Sequence, residues 1–432
     1  MTGTILRGRV LTFVDEPQGA DDQASYRYYE DGAVFIADGK IVAVGDYHKA
    51  NIAGATVIDH HPNLILPGLI DTHVHYPQMQ VIGSYAGALL EWLNTYTFVE
   101  EQKFGDGVHA ARIASRFFDE LIRHGTTTAV TYCSVHKVSA EAFFAEAEKR
   151  NMLAIGGKVM MDRNAPEALR DTPQQGYDDT KALIAEWHGR GRARYAITPR
   201  FAITSSPEQL EMAEALAREY PDCHIQTHLS ENLAEIEFVK ELYPNLGTYT
   251  GIYERYHLLG PRTLLGHSIH LSHHEAELLA DTRSVAVFCP TSNLFLGSGL
   301  FDYERLHKHG VRIAVATDVG GGTNYSMLKT LDEGFKVLQL RGQRLTPLNA
   351  FYLMTLGNAR ALSLEGTIGS LVPGADADLV VLDARATPQM ALRMETVSTL
   401  AGELFLLQTS GDDRSIAEVY VAGRAMKTTL PN

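Results

Sequence analysis

Apolar and helix-like stretches alternate through the middle of the chain. Short apolar runs at 65–70, 126–132, 153–160, 195–198, 224–227, 263–265, 285–288 and 311–316 predict eight strands. Runs this short and continuous read as strands covered on both faces. Helical patterns lie between them, and their ends carry recognisable signals. Ser206-Pro207-Glu208-Gln209 predicts a helix start with Ser206 as the cap, Pro207 in the first turn and Gln209 completing a capping box. Ser272 and Glu275 repeat the device, while Gly125 and Gly310 fall where a helix ends and a strand begins. Eight such alternations predict an α/β fold, a parallel (β/α)8 TIM-type barrel.

The two ends of the chain are patterned differently. Residues 5–13, 33–37 and 41–44 read as strands, the last two flanking Asp38-Gly39, a hairpin signal. Residues 15–32 are polar and turn-rich and predict a surface loop. Near the other end, 377–382, 419–421 and 424–427 read as strands, with Ala422-Gly423 as a turn. The expectation is a small β-sandwich domain built from both termini, 1–66 and 368–432, beside a barrel formed by 67–367.

Composition narrows the setting. The 432 residues carry a formal charge of -14, which argues against a nucleic-acid backbone as partner. Three widely spaced cysteines, Cys133, Cys223 and Cys289, form no Cys-x-x-Cys and suggest neither a disulfide framework nor a zinc ribbon. No apolar run approaches the length of a membrane span, and residues 1–14 lack the core of a signal peptide. A reducing cytoplasm is the expected compartment.

Barrel enzymes take their chemistry from the C-terminal ends of the strands. The first strand leads into Asp71-Thr72-His73-Val74-His75-Tyr76-Pro77-Gln78. Side chains two apart on an extended backbone point the same way, so His73 and His75 can present imidazoles to one point. The fourth strand end supplies Pro199, Arg200 and Phe201, the fifth His228 and Glu231, the sixth His267 and the eighth Asp318. Three imidazoles and a carboxylate suit a divalent cation that keeps a place for water. Such a cation brings the pKa of that water toward neutrality and gives a hydroxide nucleophile. Glu231 would carry a proton without ligating, and His267 would hydrogen-bond the nucleophile or a developing oxyanion. Hydrolysis at an electron-poor carbon follows from this set.

Each residue also has a plainer reading. His228 could bond to backbone, Glu231 could cap the following helix, Asp318 could serve the turn before Gly320-Gly321-Gly322, and Arg200 could be an ordinary ion-pair arginine. Tyr76, Trp92 and Leu93 could line a pocket or simply fill the core. The glycine run fits no P-loop, because its lysine is missing.

Taken together these residues resemble the amidohydrolase superfamily, with its strand-one His-x-His, strand-five and strand-six histidines and strand-eight aspartate. His228 with Glu231, and the lack of an evident carboxylated lysine on strand four, resemble its single-metal deaminase branch. Within that branch the motifs are similar to those of the guanine deaminase family. They are residues 67–78, Leu-Leu-Glu-Trp-Leu-Asn-Thr-Tyr-Thr-Phe at 89–98, Thr198-Pro199-Arg200-Phe201, Thr227-His228-Leu229-Ser230-Glu231-Asn232, Cys289-Pro290-Thr291-Ser292-Asn293 and Thr317-Asp318-Val319-Gly320-Gly321-Gly322-Thr323. The resemblance implies one Zn2+ per chain, with Fe2+ as the alternative, held by His73, His75, His228 and Asp318. It implies a purine pocket of Gln78, Arg200, Phe201, Trp92 and Leu93, with His228, Glu231 and Asp318 also touching substrate. Glu231, Asp318 and His267 would be catalytic, guanine would be hydrolysed to xanthine and ammonia by a metal-bound hydroxide, and the protein would be a homodimer. Two alternatives stay open at this point: a related aminohydrolase acting on 8-oxoguanine, an s-triazine or cytosine, and a catalytically silent barrel serving as a scaffold.

Overall fold

A computed structural model describes residues 3–50, 54–85 and 87–430. Eight parallel strands form the barrel: Leu69–His75, Thr126–Tyr132, Leu153–Gly157, Ala193–Pro199, His224–Leu229, Thr263–His267, Val285–Phe288 and Arg312–Val315. A short strand, Val159–Met160, pairs with the fourth. Helices stand between consecutive strands, among them Gly107–Arg123, Lys137–Arg150, Pro173–Trp187, Pro207–Glu219 and His273–Thr282. The first and eighth strands meet through the residues that follow them. Asp318 N–H donates to the His73 carbonyl at 2.9 Å, and His75 N–H donates to the Val319 carbonyl. Closure of the barrel therefore brings together the strand ends that carry His73, His75 and Asp318.

The second sheet draws its seven strands from both ends of the chain. Its order runs Arg424–Ala425, Ile416–Val421, Leu379–Leu382, Thr56–Pro67, Thr4–Phe13, Tyr26–Ala37 and Lys40–Asp46. The edge strand Lys40–Asp46 bonds back to the segment that precedes Leu379, through Ile41 N–H to the Ala375 carbonyl and Ala377 N–H to the Gly39 carbonyl. Leu6, Val10, Val34, Ile36, Ile65 and Val381 fill a core of its own. Asp38 and Gly39 both adopt positive φ, as the hairpin signal predicts, and so do Ala422 and Gly423. Helices Pro388–Met394 and Leu400–Ser410 also belong to the C-terminal part of the chain, and the second of them packs on the barrel helix Met327–Leu340.

Four expectations need correction. The run at 65–70 is not one strand: Ile65 to Pro67 end a strand of the terminal sheet, and the barrel begins at Leu69. Pro67 lacks an N–H, and a Cβ on Gly68 would lie 2.1 Å from Thr127 Oγ1, so only glycine lets the chain cross here. The run at 153–160 is likewise two strands, separated by Lys158. The loop expected over 15–32 ends early, because Tyr26–Ala37 pairs along the first strand, with Tyr26 opposite Phe13 and edge-on to its ring. Ser206 does accept from Gln209 N–H, but the Gln209 amide donates to Asp171 Oδ1 at 2.9 Å instead of closing a capping box. The Ser272–Glu275 box is formed in full.

Candidate active site

Four side chains converge at the C-terminal mouth of the barrel. His75 Nε2 lies 3.3 Å from His73 Nε2 and 3.2 Å from His228 Nε2. Asp318 Oδ1 lies 3.3 Å from His73 Nε2 and 3.4 Å from His75 Nε2. Ligands on a tetrahedral ion with bonds near 2.0–2.1 Å stand about 3.3 Å apart, so these spacings fit a single small divalent cation. The chemistry of the donors agrees. His228 donates Nδ1–H to the Arg200 carbonyl at 2.7 Å, which leaves Nε2 as a bare lone pair facing its neighbours. Burial holds His73 below the ordinary imidazole pKa, and His75 and His228 well below it. All three are then neutral at pH 7, the form in which imidazole can hold a cation.

Local sequence explains the convergence. A Cβ at Gly266 would lie 2.6 Å from His73 Cε1, so glycine on the sixth strand admits the imidazole of the first. His75 stacks on Tyr132 of the second strand, with ring centroids 4.4 Å apart. Asp71 stands behind the cluster and accepts from Thr317 N–H at 3.1 Å and from the Thr317 hydroxyl, fixing the backbone that delivers Asp318. Ser230, His267, Ser268 and Asp318 all adopt positive φ. Non-glycine residues held there store strain, which gathers where side chains must be aimed.

A second group lies beside the first. His267 Nε2 is 3.3 Å from Glu231 Oε2 and 3.7 Å from Asp318 Oδ2, and its Nδ1 bonds Asn293 Oδ1 at 2.9 Å. Ser298 Oγ donates to Glu231 Oε1 at 2.9 Å. Burial raises the Glu231 carboxyl to about 7, against the opposing charge of His267. Burial alone would raise Asp318 too, yet the hydrogen bond to His73 and the neighbouring His267 bring it down to about 2. Two carboxyls in one site are thereby driven apart in acidity, one poised as an acid and the other as a base. For His267 burial is outweighed by Glu231 and Asp318, and its pKa rises. Glu231 does not cap the following helix: Asn232 and Glu235 form that capping box.

The cleft over these residues holds about 390 Å³ including its open mouth. His75, His228, Glu231, His267 and Asp318 line it together with Gln78, Arg200, Phe201, Trp92 and Leu93, the residues the sequence singles out. Leu89, Leu296 and Gly321 also line it and carry no signal in the sequence beyond their neighbourhood. Tyr76 does not: its hydroxyl bonds Ser139, and its ring packs on Phe104 and Phe143 in the core. Behind the cleft, Glu101 pairs with Arg200 Nη1 at 2.6 Å and accepts from Gln78 Nε2 at 2.9 Å. Sequence reasoning missed Glu101, Ser298 and the part played by Asn293.

The amidohydrolase family's sequence pattern matches residues 64–426. The chain belongs to the amidohydrolase family. Within that family it is similar to the guanine deaminase of Escherichia coli strain K12, with 45% identity over 96% of this chain and 95% of that one. The E. coli guanine deaminase structure superposes with a TM-score of 0.95 at 44% identity, covering 98% of this chain and 99% of that one. A C. acetobutylicum guanine deaminase structure with guanine bound in its active site matches with a TM-score of 0.89 at 30% identity, covering 98% and 100% of the two chains.

Proposed function

We propose that this amidohydrolase is a guanine deaminase, hydrolysing guanine to xanthine and ammonia. One observation carries the reading: a cluster fit for a cation, an acid–base pair, and a wall of Gln78 and Arg200 line the same cleft. Similarity along nearly the whole chain to guanine deaminases, one of them with guanine bound, supports it.

His73, His75, His228 and Asp318 would hold the metal, with zinc proposed and iron(II) as the alternative. Bound there, a divalent cation supplies the acidity that makes a water nucleophilic near neutral pH. The chain's own groups do the rest. Arg200 and Gln78 donate to the ring carbonyl, and Phe201 and Trp92 cover the ring faces. Glu231, with its carboxyl near 7, gives a proton to the ring nitrogen beside the amino-bearing carbon. That proton offsets the loss of aromatic stabilisation as oxygen adds. Asp318, a carboxylate at neutral pH, takes the proton from the attacking water. His267 steadies the new hydroxyl, its ring held by Asn293. As the C–O bond forms, Asp318 passes the water's proton to the amino group; the hydroxyl proton returns to Glu231 as the C–N bond breaks and ammonia leaves.

The same reading divides the chain into a β domain of 1–66 with 368–432 and a catalytic barrel of 67–367. It expects a homodimer working in purine catabolism in the cytoplasm. Three buried, free cysteines are consistent with a reducing compartment, and among the described residues no helix is long and apolar enough to cross a membrane.

A panel of guanine, 8-oxoguanine, an s-triazine and cytosine, scored for ammonia release alongside elemental analysis, tests the reading. The expected result is about one metal per chain and turnover of guanine above the others. Turnover of another ring with none of guanine would overturn the substrate, and ammonia from none of them would leave the scaffold reading standing.

A further inference from the structure

We propose that Glu101 is a positioning residue that sets specificity by making the polar wall of the cleft a face of hydrogen-bond donors. A ring carbonyl is then accepted, and a ring amino group in its place is refused. The inference rests on the guanine deaminase reading and adds a residue that does not itself line the cleft.

Glu101 is 1% exposed and stands behind the two side chains that do line it. Its Oε2 pairs with Arg200 Nη1 at 2.6 Å, and its Oε1 accepts from Gln78 Nε2 at 2.9 Å. The Gln78 amide is fixed from its other side as well, because Gly320 N–H donates to Gln78 Oε1 at 3.1 Å. Flipping that amide would set its oxygen against a carboxylate and its NH2 against an N–H, so one orientation is enforced. With its oxygen engaged by Gly320, Gln78 keeps its second N–H for a ligand. Arg200 has only donors to offer in any case. Glu101 thus spends both oxygens on the wall and leaves the wall's remaining capacity as N–H groups.

The same short helix, Phe98–Glu101, supports Arg200 a second time: the guanidinium carbon lies 5.4 Å from the Phe98 ring centroid. This helix continues directly from the helical segments Leu89–Trp92 and Leu93–Thr97, which carry Trp92 and Leu93 into the cleft. The segment 89–101 therefore supplies both the apolar cover and the carboxylate that orients the carbonyl-reading groups. A site built to donate to a carbonyl oxygen rejects an analogue that presents N–H there, because buried donors are left facing donors.

The test uses the full-length, metal-loaded enzyme and Glu101→Gln, which keeps shape and removes the charge. Guanine turnover is measured beside inhibition by 2,6-diaminopurine, in which an amino group replaces the carbonyl. The expected result is a rise of roughly tenfold in KM for guanine with a smaller change in kcat, consistent with the loss of one charge-assisted hydrogen bond. The inhibition constant of 2,6-diaminopurine holds or falls, and metal content stays at the wild-type level. In an Arg200→Gln background, adding Glu101→Gln changes this selectivity less than it does in the wild type, because only the contact with Gln78 is left to lose. That pair of variants also replaces a buried ion pair by two amides, and it serves if the single variant does not fold. Wild-type selectivity in Glu101→Gln, or an equal change with Arg200 already removed, would overturn the proposal while leaving the deaminase reading intact. Failure of the wild type to turn over guanine would overturn both.

Discussion

The fifth barrel strand carries two buried histidines four residues apart, and they have opposite fates. At the mouth, His228 Nε2 lies 3.2 Å from His75 Nε2, and the ring groups with His73 and His267. At the closed end, His224 gives its Nε2–H to the Leu362 carbonyl at 3.0 Å. Burial lowers the pKa of both. Burial therefore explains why each is neutral but does not separate a ligand from a structural residue; the partner does. The surroundings differ in the same sense. Around the closed end charges are paired, Arg192 with Asp376 and Asp378, or are spent on carbonyls, as Arg312 is on those of Pro261 and Arg283. At the mouth, nitrogen faces nitrogen at 3.2–3.3 Å, an arrangement that asks for a cation.

On that contrast, substitutions at the mouth change turnover, and substitutions at the closed end change stability. The largest effect is expected at Glu231. Glu231→Gln keeps the shape but cannot supply the proton, so kcat should fall by about 10²- to 10⁴-fold. Metal content should not change, because Glu231 stands outside the ligand cluster. Elemental analysis with steady-state kinetics checks this, and near-normal kcat would remove Glu231 from proton transfer. Arg200→Ala comes next. Losing a hydrogen bond from a charged donor, worth about 1.5–3 kcal/mol, corresponds to roughly 10- to 100-fold in kcat/KM for guanine. The variant also strands the Glu101 carboxylate, so some loss of thermal stability is expected with it. Retained metal with damaged guanine turnover is the predicted pattern; equal loss of both would make Arg200 a structural residue.

The mouth of the barrel was largely legible in the sequence because a parallel barrel converts strand ends into one place. Once eight strands are assigned, His73, His75, His228, His267 and Asp318 must face a common space whatever their separation along the chain. Glu101 was not legible for the opposite reason. It sits in the excursion after the first strand, beside Glu100, and one helical step of about 100° separates their directions. Glu100, also buried, pairs with Lys103, while Glu101 turns to Arg200. Nothing in a Glu-Glu pair says which is which until the helix is docked. The strand Thr56–Pro67 was missed over its first half, where Thr56 to His61 leave their side chains largely exposed and mark no buried face. Its partner is Thr4–Phe13, across roughly fifty residues, a pairing that local patterning does not encode.

The smallest effect, and the one that tests the closed end, concerns acid stability. His224 has one nitrogen bonded to Leu362, while its Nδ1 is buried without a hydrogen-bond partner. Protonation would bury an unpaired N–H, and burial lowers the pKa to about 4 from its ordinary 6.5. A depressed histidine binds its proton more readily in the unfolded chain. Its stabilisation is therefore complete above pH 6.5 and is lost as pH falls from 6.5 toward 4. At pH 5 this amounts to about 2 kcal/mol. His224→Gln keeps a donor for the Leu362 carbonyl and removes the titration. Urea unfolding of the two proteins should run in parallel above pH 7, with the wild type losing ground by that amount at pH 5. Guanine turnover at pH 7.5 should be the same in both. Parallel unfolding curves down to pH 5 would show that His224 titrates normally, and the closed end would then not owe its neutrality to burial. A loss of turnover in His224→Gln would break the comparison from the other side, because it would tie a residue at the structural end of the strand to the chemistry at its mouth.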